Sequence, residues 1–419
     1  MARRVPFSPE TSVIRPPPSA LVSANLVSVH PIVQDGYHNA FCGFTCWRGY
    51  YYVSYRTGDS HNPYPGGEIV ILRMHADDVR NAPVIVGGSY WKEVARISTP
   101  GDDRDPHLVA DDDWIWCSFA TYYPRWGHES KAVTSNMTRD YITHISSSPN
   151  GTAWSRPYQV FRPGYWLWSV VPVSFTDKAG GDDVVWYGAA YHTGDAWDTM
   201  HSLHLLRSEE RIWWTHRAVM YWSQDILTAK PSEPCLYIPR QGELACVARL
   251  ENGMLYGAAT YPYGKWDWTV YTTTIHAPSV VQVNGKVFIV ARSRRDELPD
   301  YVPPKMPKST FRTSKSFRVP HDSSDGMVKP SALTPMDLYC TALWELCFVD
   351  EHDTTPTLRH LLTLPSWGDT SYAGTHWDAE HQELLVAYYS MHDRKPLPTT
   401  LTMMSPSDVF LARIALDNV

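Results

Sequence analysis

The feature that most constrains this chain is a loosely repeated unit. Six stretches share one layout, in which a strand reaches a polar corner, turns at an Asp/Asn/Gly cluster and returns rich in aromatics. They read HNAFCGFTCWRGYYYVSYRTG (38–58), DPHLVADDDWIWCSFATYY (105–123), WSVVPVSFTDKAGGDDVVWYGAAYH (168–192), GELACVARLENGMLYGAATY (242–261), HAPSVVQVNGKVFIVARSR (276–294) and SYAGTHWDAEHQELLVAYYS (371–390). More amphipathic partner strands follow, among them GEIVILRMHADD, LHLLRSEERIWWTHRAVMY and DVFLARIALDN. A recurring four-strand unit of this kind predicts an all-β β-propeller. Six units are clear, and ALVSANLVSV (20–29) is suited to completing a closing blade, so six or seven blades are expected. A pair of β-sandwich domains is the competing architecture, because strand content alone does not separate the two.

Composition agrees with strands. Eighteen Trp and 25 Tyr suit half-buried pleated surfaces, and 33 Pro with 24 Gly punctuate turns. A formal net charge of −7 gives no support for a nucleic-acid or membrane-surface partner. No apolar run approaches the ~20 residues of a membrane span. The start, MARRVPFSPETSVIRPPPSA, is basic but lacks an apolar h-region, so no signal peptide is visible and location stays open. Seven cysteines without a Cys-x-x-Cys pair signal neither a disulfide framework nor a zinc ribbon; buried reduced thiols are expected. No cofactor is required by any motif, and no ligand run is diagnostic of calcium or zinc, although either ion is compatible with a propeller channel. Asn136 and Asn150 head the sequons NMT and NGT, triplets that carry weight only in a secreted chain.

Two segments break the pattern. Residues 1–19 read as a Pro-rich arm ahead of a single propeller domain spanning 20–419, and 295–335 reads as a basic, Pro-rich loop insertion. The turn SSSPNGTAW (146–154) looks like a degenerate Asp-box, the Ser-x-Asp-x-Gly-x-x-Trp hairpin of sialidase-type propellers, with Pro149 at the Asp position. RSEERIWW (207–214) has the same Ser-to-Trp shape without the glycine.

In a propeller, corner residues of different blades converge at one channel mouth. His107 and His128 lie 21 residues apart and flank one hairpin, so both rings can reach the same edge. Tyr191 ends the return strand of the third unit, and Arg207 follows 16 residues later. This set suits β-elimination at a uronic acid. Arg neutralises the carboxylate, and His and Tyr exchange protons at the C5 position and the leaving oxygen. Arg56 and His61 (YRTGDSH), Arg292 and Tyr372 (DTSYAG) are candidate substrate contacts at the same rim. Each residue taken singly is as well explained by packing or by satisfying backbone groups.

The His–His, Tyr–Arg spacing and the phrases YRTGDSHNPYPGGEIVILR, RDPHLV, APSVVQVNGKVFIVAR and GDTSYAGTHWDAEHQELLVAYYS resemble the β-propeller polysaccharide lyases, the ulvan and rhamnose–glucuronate lyases. The resemblance implies seven blades, an acidic polysaccharide or oligosaccharide substrate, secretion, and cleavage beside a uronate. It places His107 and His128 at the uronate, Tyr191 in proton transfer and Arg207 on the carboxylate; which of Tyr191 and the histidines is the base stays open. It also implies a further arginine near the end of the fourth unit, where Ala259 and Thr260 stand. Two rivals remain. A non-catalytic carbohydrate-binding propeller needs only the cleft. A sialidase or rhamnosidase-like hydrolase shares the fold; a sialidase needs three arginines, a Tyr–Glu nucleophile pair and an acidic Asp. Arg56 could begin that trio, but Arg-Ile-Pro is absent and no Glu stands out as the partner.

Overall fold

A computed structural model describes residues 21–62, 66–81, 90–123, 141–176, 182–193, 201–223, 230–299, 338–349, 355–394 and 402–419. The arm 1–19, most of the insertion 295–335, His128 and Asn136 lie outside these residues.

The described strands form six four-stranded antiparallel sheets, each a blade. The first strands of the six blades are His38–Trp47, Asp102–Ala110, Tyr165–Thr176, Ser232–Tyr237, His276–Val283 and Ser371–Asp378. They contact one another in ring order around the axis. The expectation of seven blades is corrected to six. Ser23–Val33, which contains most of the 20–29 stretch, does not start a blade of its own. It pairs with Asp408–Asp417 as the outermost strand of the sixth blade and closes the circle. All seven cysteines are free, four of them buried, as expected of reduced core thiols.

Aromatic and β-branched side chains of alternate strand positions fill the space between neighbouring blades. Near the axis the blades approach too closely for side chains. A Cβ on Gly374 would lie 2.3 Å from the Phe44 backbone nitrogen and 2.7 Å from the Gly43 carbonyl carbon. Gly374→Ala is therefore expected to destabilise the protein by roughly 1–3 kcal/mol through overpacking between the sixth and first blades. A urea melt with an unchanged midpoint would contradict this.

In the second and third blades the third and fourth strands are joined at the same end as the turn between the first and second strands. In SSSPNGTAW, Asn150 does the work expected of the missing aspartate: its Oδ1 accepts from the Thr152 and Ala153 amides at 3.0 and 2.8 Å. Gly151 has φ +73°, and a Cβ there would strike the Tyr52 hydroxyl. In RSEERIWW, Arg211 takes the corresponding left-handed conformation at φ +64°.

Candidate functional site

Each first strand carries a β-bulge at the same height. Pairing with the second strand shifts between Ala40 and Gly43, Arg104 and His107, Leu167 and Ser169, Ser232 and Cys235, His276 and Ser279, and Ser371 and Gly374. A bulge inserts one residue and re-aims its side chain. In five blades the inserted residue has positive φ although it is not glycine: Phe41 (61°), Asp105 (49°), Glu233 (53°), Ala277 (46°) and Tyr372 (47°). Trp168 holds the place in the third blade. Left-handed backbone costs about 1–2 kcal/mol for such residues, and its repetition around one mouth marks stored strain at a site. All but Glu233 line an axial cavity of about 50 Å³, together with His107, Ser169, Cys235 and Ser279.

Opposite the residue before each bulge stands a second ring, on the second strands: Arg56, Ala120, Ala190, Arg249, Arg292 and Tyr389. Three of its six members are arginines.

The two rings meet at Tyr372. Its hydroxyl donates to Glu233 Oε1 at 2.7 Å, and Arg249 Nη1 donates to the same oxygen at 2.8 Å. The other Glu233 oxygen accepts from the Ala277 amide at 2.6 Å. Arg249 Nη1 lies 3.3 Å from the Tyr372 hydroxyl, and the Arg292 guanidinium stacks 4.7 Å from the Tyr372 ring centroid. Arg292 is fixed by three bonds, from Nε to the Thr370 carbonyl (2.8 Å) and from Nη2 to Asp369 (2.9 Å) and the Tyr389 hydroxyl (2.8 Å). Its Nη1 has no protein partner among the described residues. Burial raises the Tyr372 hydroxyl pKa and the Glu233 charge adds to this, against the two arginines, so the phenol keeps its proton.

Across the mouth, Asp105 is buried and its Oδ1 is unpartnered among the described residues. Burial pushes its carboxyl up to about 8, Arg104 opposing and the Glu233 charge assisting. A carboxyl raised to that range keeps its proton at neutral pH, and it lines the same cavity as Tyr372.

Arg56, the third arginine of the ring, is fully buried and spent internally. Its nitrogens reach Asp102 (3.2 Å), His38 (3.3 Å) and the His61 carbonyl (2.8 Å). His61 Nδ1 and His38 Nε2 both donate to Asp369 Oδ2, at 2.6 and 3.0 Å. Burial alone would raise the Asp369 pKa, but His61, His38 and Arg292 hold it well below the ordinary carboxylate range. His38, His61 and Asp369 place ligand atoms within 4.8 Å of one another. A cation there would sit between two guanidiniums, so the trio does not fit a calcium or zinc ion and is accounted for as a hydrogen-bond hub that fixes Arg292.

Of the expected elimination set, His107 and Tyr191 come against the same Trp168 ring, Arg207 does not, and His128 lies outside the described residues. His107 lies in the axial cavity against Trp168, ring centroids 4.9 Å apart, and burial lowers its pKa to about 4. Tyr191 stacks on Trp166 at 5.6 Å and packs on Trp168 at 5.9 Å; burial raises its pKa well above the usual value. Arg207 belongs elsewhere. Tyr191 pairs with Leu203 while Arg207 pairs with Tyr187, which separates the two by about 13 Å along the strands. Arg207 instead meets Glu209 at 2.9 Å beside the outer hairpin. Of the rim contacts, Arg292 and Tyr372 are in the site, whereas Arg56 and His61 stand behind it. Ala259 and Thr260 belong to the third strand of the fourth blade, and the arginine that this blade carries near the end of its second strand is Arg249. Glu233 and Asp105 were not singled out by the sequence reading. A signal for them exists in Arg-Asp-Pro (104–106), Ser-Glu-Pro (232–234) and His-Ala-Pro (276–278), one triplet at each of three bulges.

No family model and no curated protein matches the chain. Solved structures do match it in fold. The Trypanosoma rangeli sialidase in complex with sialic acid superposes with a TM-score of 0.53 at 10% identity, over 94% of this chain and 59% of the sialidase. The same enzyme as a covalent intermediate with 2,3-difluorosialic acid gives 0.52 at 10% identity, over 94% and 59%. The phage phi92 endosialidase gives 0.50 at 11% identity, over 93% and 69%. The chain thus spans about three fifths of the length of the trypanosome enzyme, and the likeness is one of propeller architecture.

Proposed function

We propose that this propeller is a glycoside hydrolase that removes a carboxylate-bearing sugar of the sialic acid type from a glycan. The observation that carries the reading is the 2.7 Å bond from the Tyr372 hydroxyl to Glu233, set between Arg249 and Arg292. The fold likeness to sialidases is consistent with it and does not establish it.

The chemistry follows from charge. A sugar with a carboxylate on its anomeric carbon repels an anionic nucleophile, whereas a neutral phenol approaches without that cost. Tyr372 Oη bonds to the anomeric carbon as its proton passes to Glu233, and the bond to the leaving oxygen breaks as Asp105 protonates that oxygen. Water then attacks the same carbon and gives a proton to Asp105, and Tyr372 departs, recovering its proton from Glu233. Arg249 and Arg292 hold the carboxylate with the donors their internal bonds leave over. The clamp therefore has two presenting arginines, with Arg56 contributing only positive potential from behind.

A fluorogenic aryl sialoside tests this. Turnover is expected, with a KM raised roughly 10–100-fold in Arg292→Ala, the loss of a charged hydrogen bond of about 1.5–3 kcal/mol. Arg207→Ala should leave turnover intact. No release of the fluorophore, with a conjugated double bond appearing on uronate glycans, would replace this reading by β-elimination. Neither product would favour the carbohydrate-binding propeller.

A further inference from the structure

All six blades contribute to the wall of the axial cavity, and most of what they contribute is apolar or already bonded. Ser169 Oγ donates to the Pro234 carbonyl at 2.8 Å and accepts from the Leu236 amide at 2.9 Å. Ser279 Oγ pairs with Thr375 Oγ1 at 2.9 Å, and the Pro106 carbonyl accepts from Ser54 Oγ at 3.3 Å. The Tyr372 hydroxyl is committed to Glu233. Two buried side-chain atoms of the lining residues have no partner among the described residues, Asp105 Oδ1 and His107 Nε2. They belong to one strand, on either side of Pro106, where the bulge between Arg104 and His107 sets both residues against the cavity.

Buried polar atoms in folded proteins are bonded, to protein or to water. These two are not bonded to each other, and about 50 Å³ is more room than one water needs. Burial lowers the His107 pKa to about 4, so near pH 7 its ring is neutral and one nitrogen carries a proton. Asp105, as the acid, needs its proton on the oxygen that faces the leaving group.

We propose that His107 is a positioning residue for this acid: its Nε2–H donates to a water in the axial cavity, and that water donates to Asp105 Oδ1. With Oδ1 occupied as an acceptor, the Asp105 proton is kept on Oδ2, where the leaving oxygen arrives. Once that proton has gone, the same bond tightens, because a carboxylate accepts more strongly than a carboxylic acid. His107 keeps its own proton throughout. The inference rests on the role of Asp105 in the hydrolase reading, but the hydrogen-bond half of it can be tested without substrate.

The other groups that act on Asp105 are Arg104 and Asp102 on its own strand, Arg56 on the first blade and Glu233 on the fourth, with the Tyr191 and Tyr372 hydroxyls on the third and sixth. Replacing His107 alters none of them, so a displaced Asp105 titration reports on the ring.

Nitrogen-15 NMR of histidine-labelled wild type should place the His107 proton on Nε2. Carbon-13 NMR of carboxyl-labelled aspartate, with Asp105 identified by its loss in Asp105→Asn, should give a midpoint about one pH unit higher in His107→Phe. His107→Gln, whose amide donates from the same place, should restore it. In turnover, the fall in rate near pH 8 with a sugar leaving group should move upward by about the same amount in His107→Phe and return in His107→Gln. A proton on Nδ1, or an unmoved midpoint in folded His107→Phe, would overturn the proposal even if a sialoside is hydrolysed. If His107→Phe does not fold, the wild-type tautomer decides. The expected tautomer and midpoints without hydrolysis of any sialoside would leave the His107–Asp105 link standing and sink the hydrolase reading instead.

Discussion

Tyr372→Phe is expected to lower kcat for an aryl sialoside by roughly 10⁴-fold, about 5.5 kcal/mol of transition-state stabilisation, while KM changes little. The substitution removes one oxygen from a ring wedged against Phe41, Trp168 and the Arg292 guanidinium. Packing and the αL backbone are kept, so a folding defect is not expected, and a thermal melt beside the assay checks this. What disappears is the hydroxyl that donates to Glu233 at 2.7 Å. A second readout separates nucleophile from bystander. Wild type treated with a 2,3-difluoro sialoside should gain the mass of one sugar on the peptide containing Tyr372, and the phenylalanine variant should not. Retained turnover in Tyr372→Phe would remove the basis of the proposed function.

The next largest effect is expected at Asp105. Asp105→Asn keeps the shape and removes the proton, which should cost on the order of 10²–10⁴-fold for a sugar leaving group. The loss should shrink towards nothing for an aryl leaving group that departs without protonation. The pH profile carries the sign. Burial raises this carboxyl to about 8, so the acid form is present at and below neutral pH and is lost as pH rises through that value. The rate with a sugar leaving group should therefore fall above pH 8 in wild type, and that fall should be absent in Asp105→Asn. An acidic residue with an ordinary pKa would have produced the fall near pH 4. A profile that falls there would show that Asp105 is not the acid.

Much of the fold was legible because its signals are local. Strand alternation, aromatic return strands and Asp/Asn/Gly corners lie within each hairpin, and each of the six units read from the sequence falls in one of the six blades, five as its first and second strands and the fourth, 242–261, as its second and third. The blade count was less legible, since nothing in ALVSANLVSV tells whether it opens a seventh sheet or seals the sixth. The site was half legible. Arg292 and Tyr372 were reached as polar corner residues, and a Tyr–Glu pair with arginines was the stated requirement of one rival. Glu233 escaped because KPSEPCLY looks like a turn entering a short strand, and Arg249 because LACVARL reads as an ordinary strand end. Arg207 was misplaced for a related reason: a spacing of 16 residues does not say at which end of a strand a side chain falls.

Strand positions, turns and the repetition of similar units follow from local sequence, because periodicity and turn chemistry act over a few residues. That six blades close on Ser23–Val33, and that a bulge in each first strand turns one side chain towards the axis, depends on contacts between distant strands. Glu233 and Tyr372 are 139 residues apart and meet because the fourth and sixth blades present the same bulge at the same height. Closure of the circle makes that contact, and no shorter stretch of chain contains it.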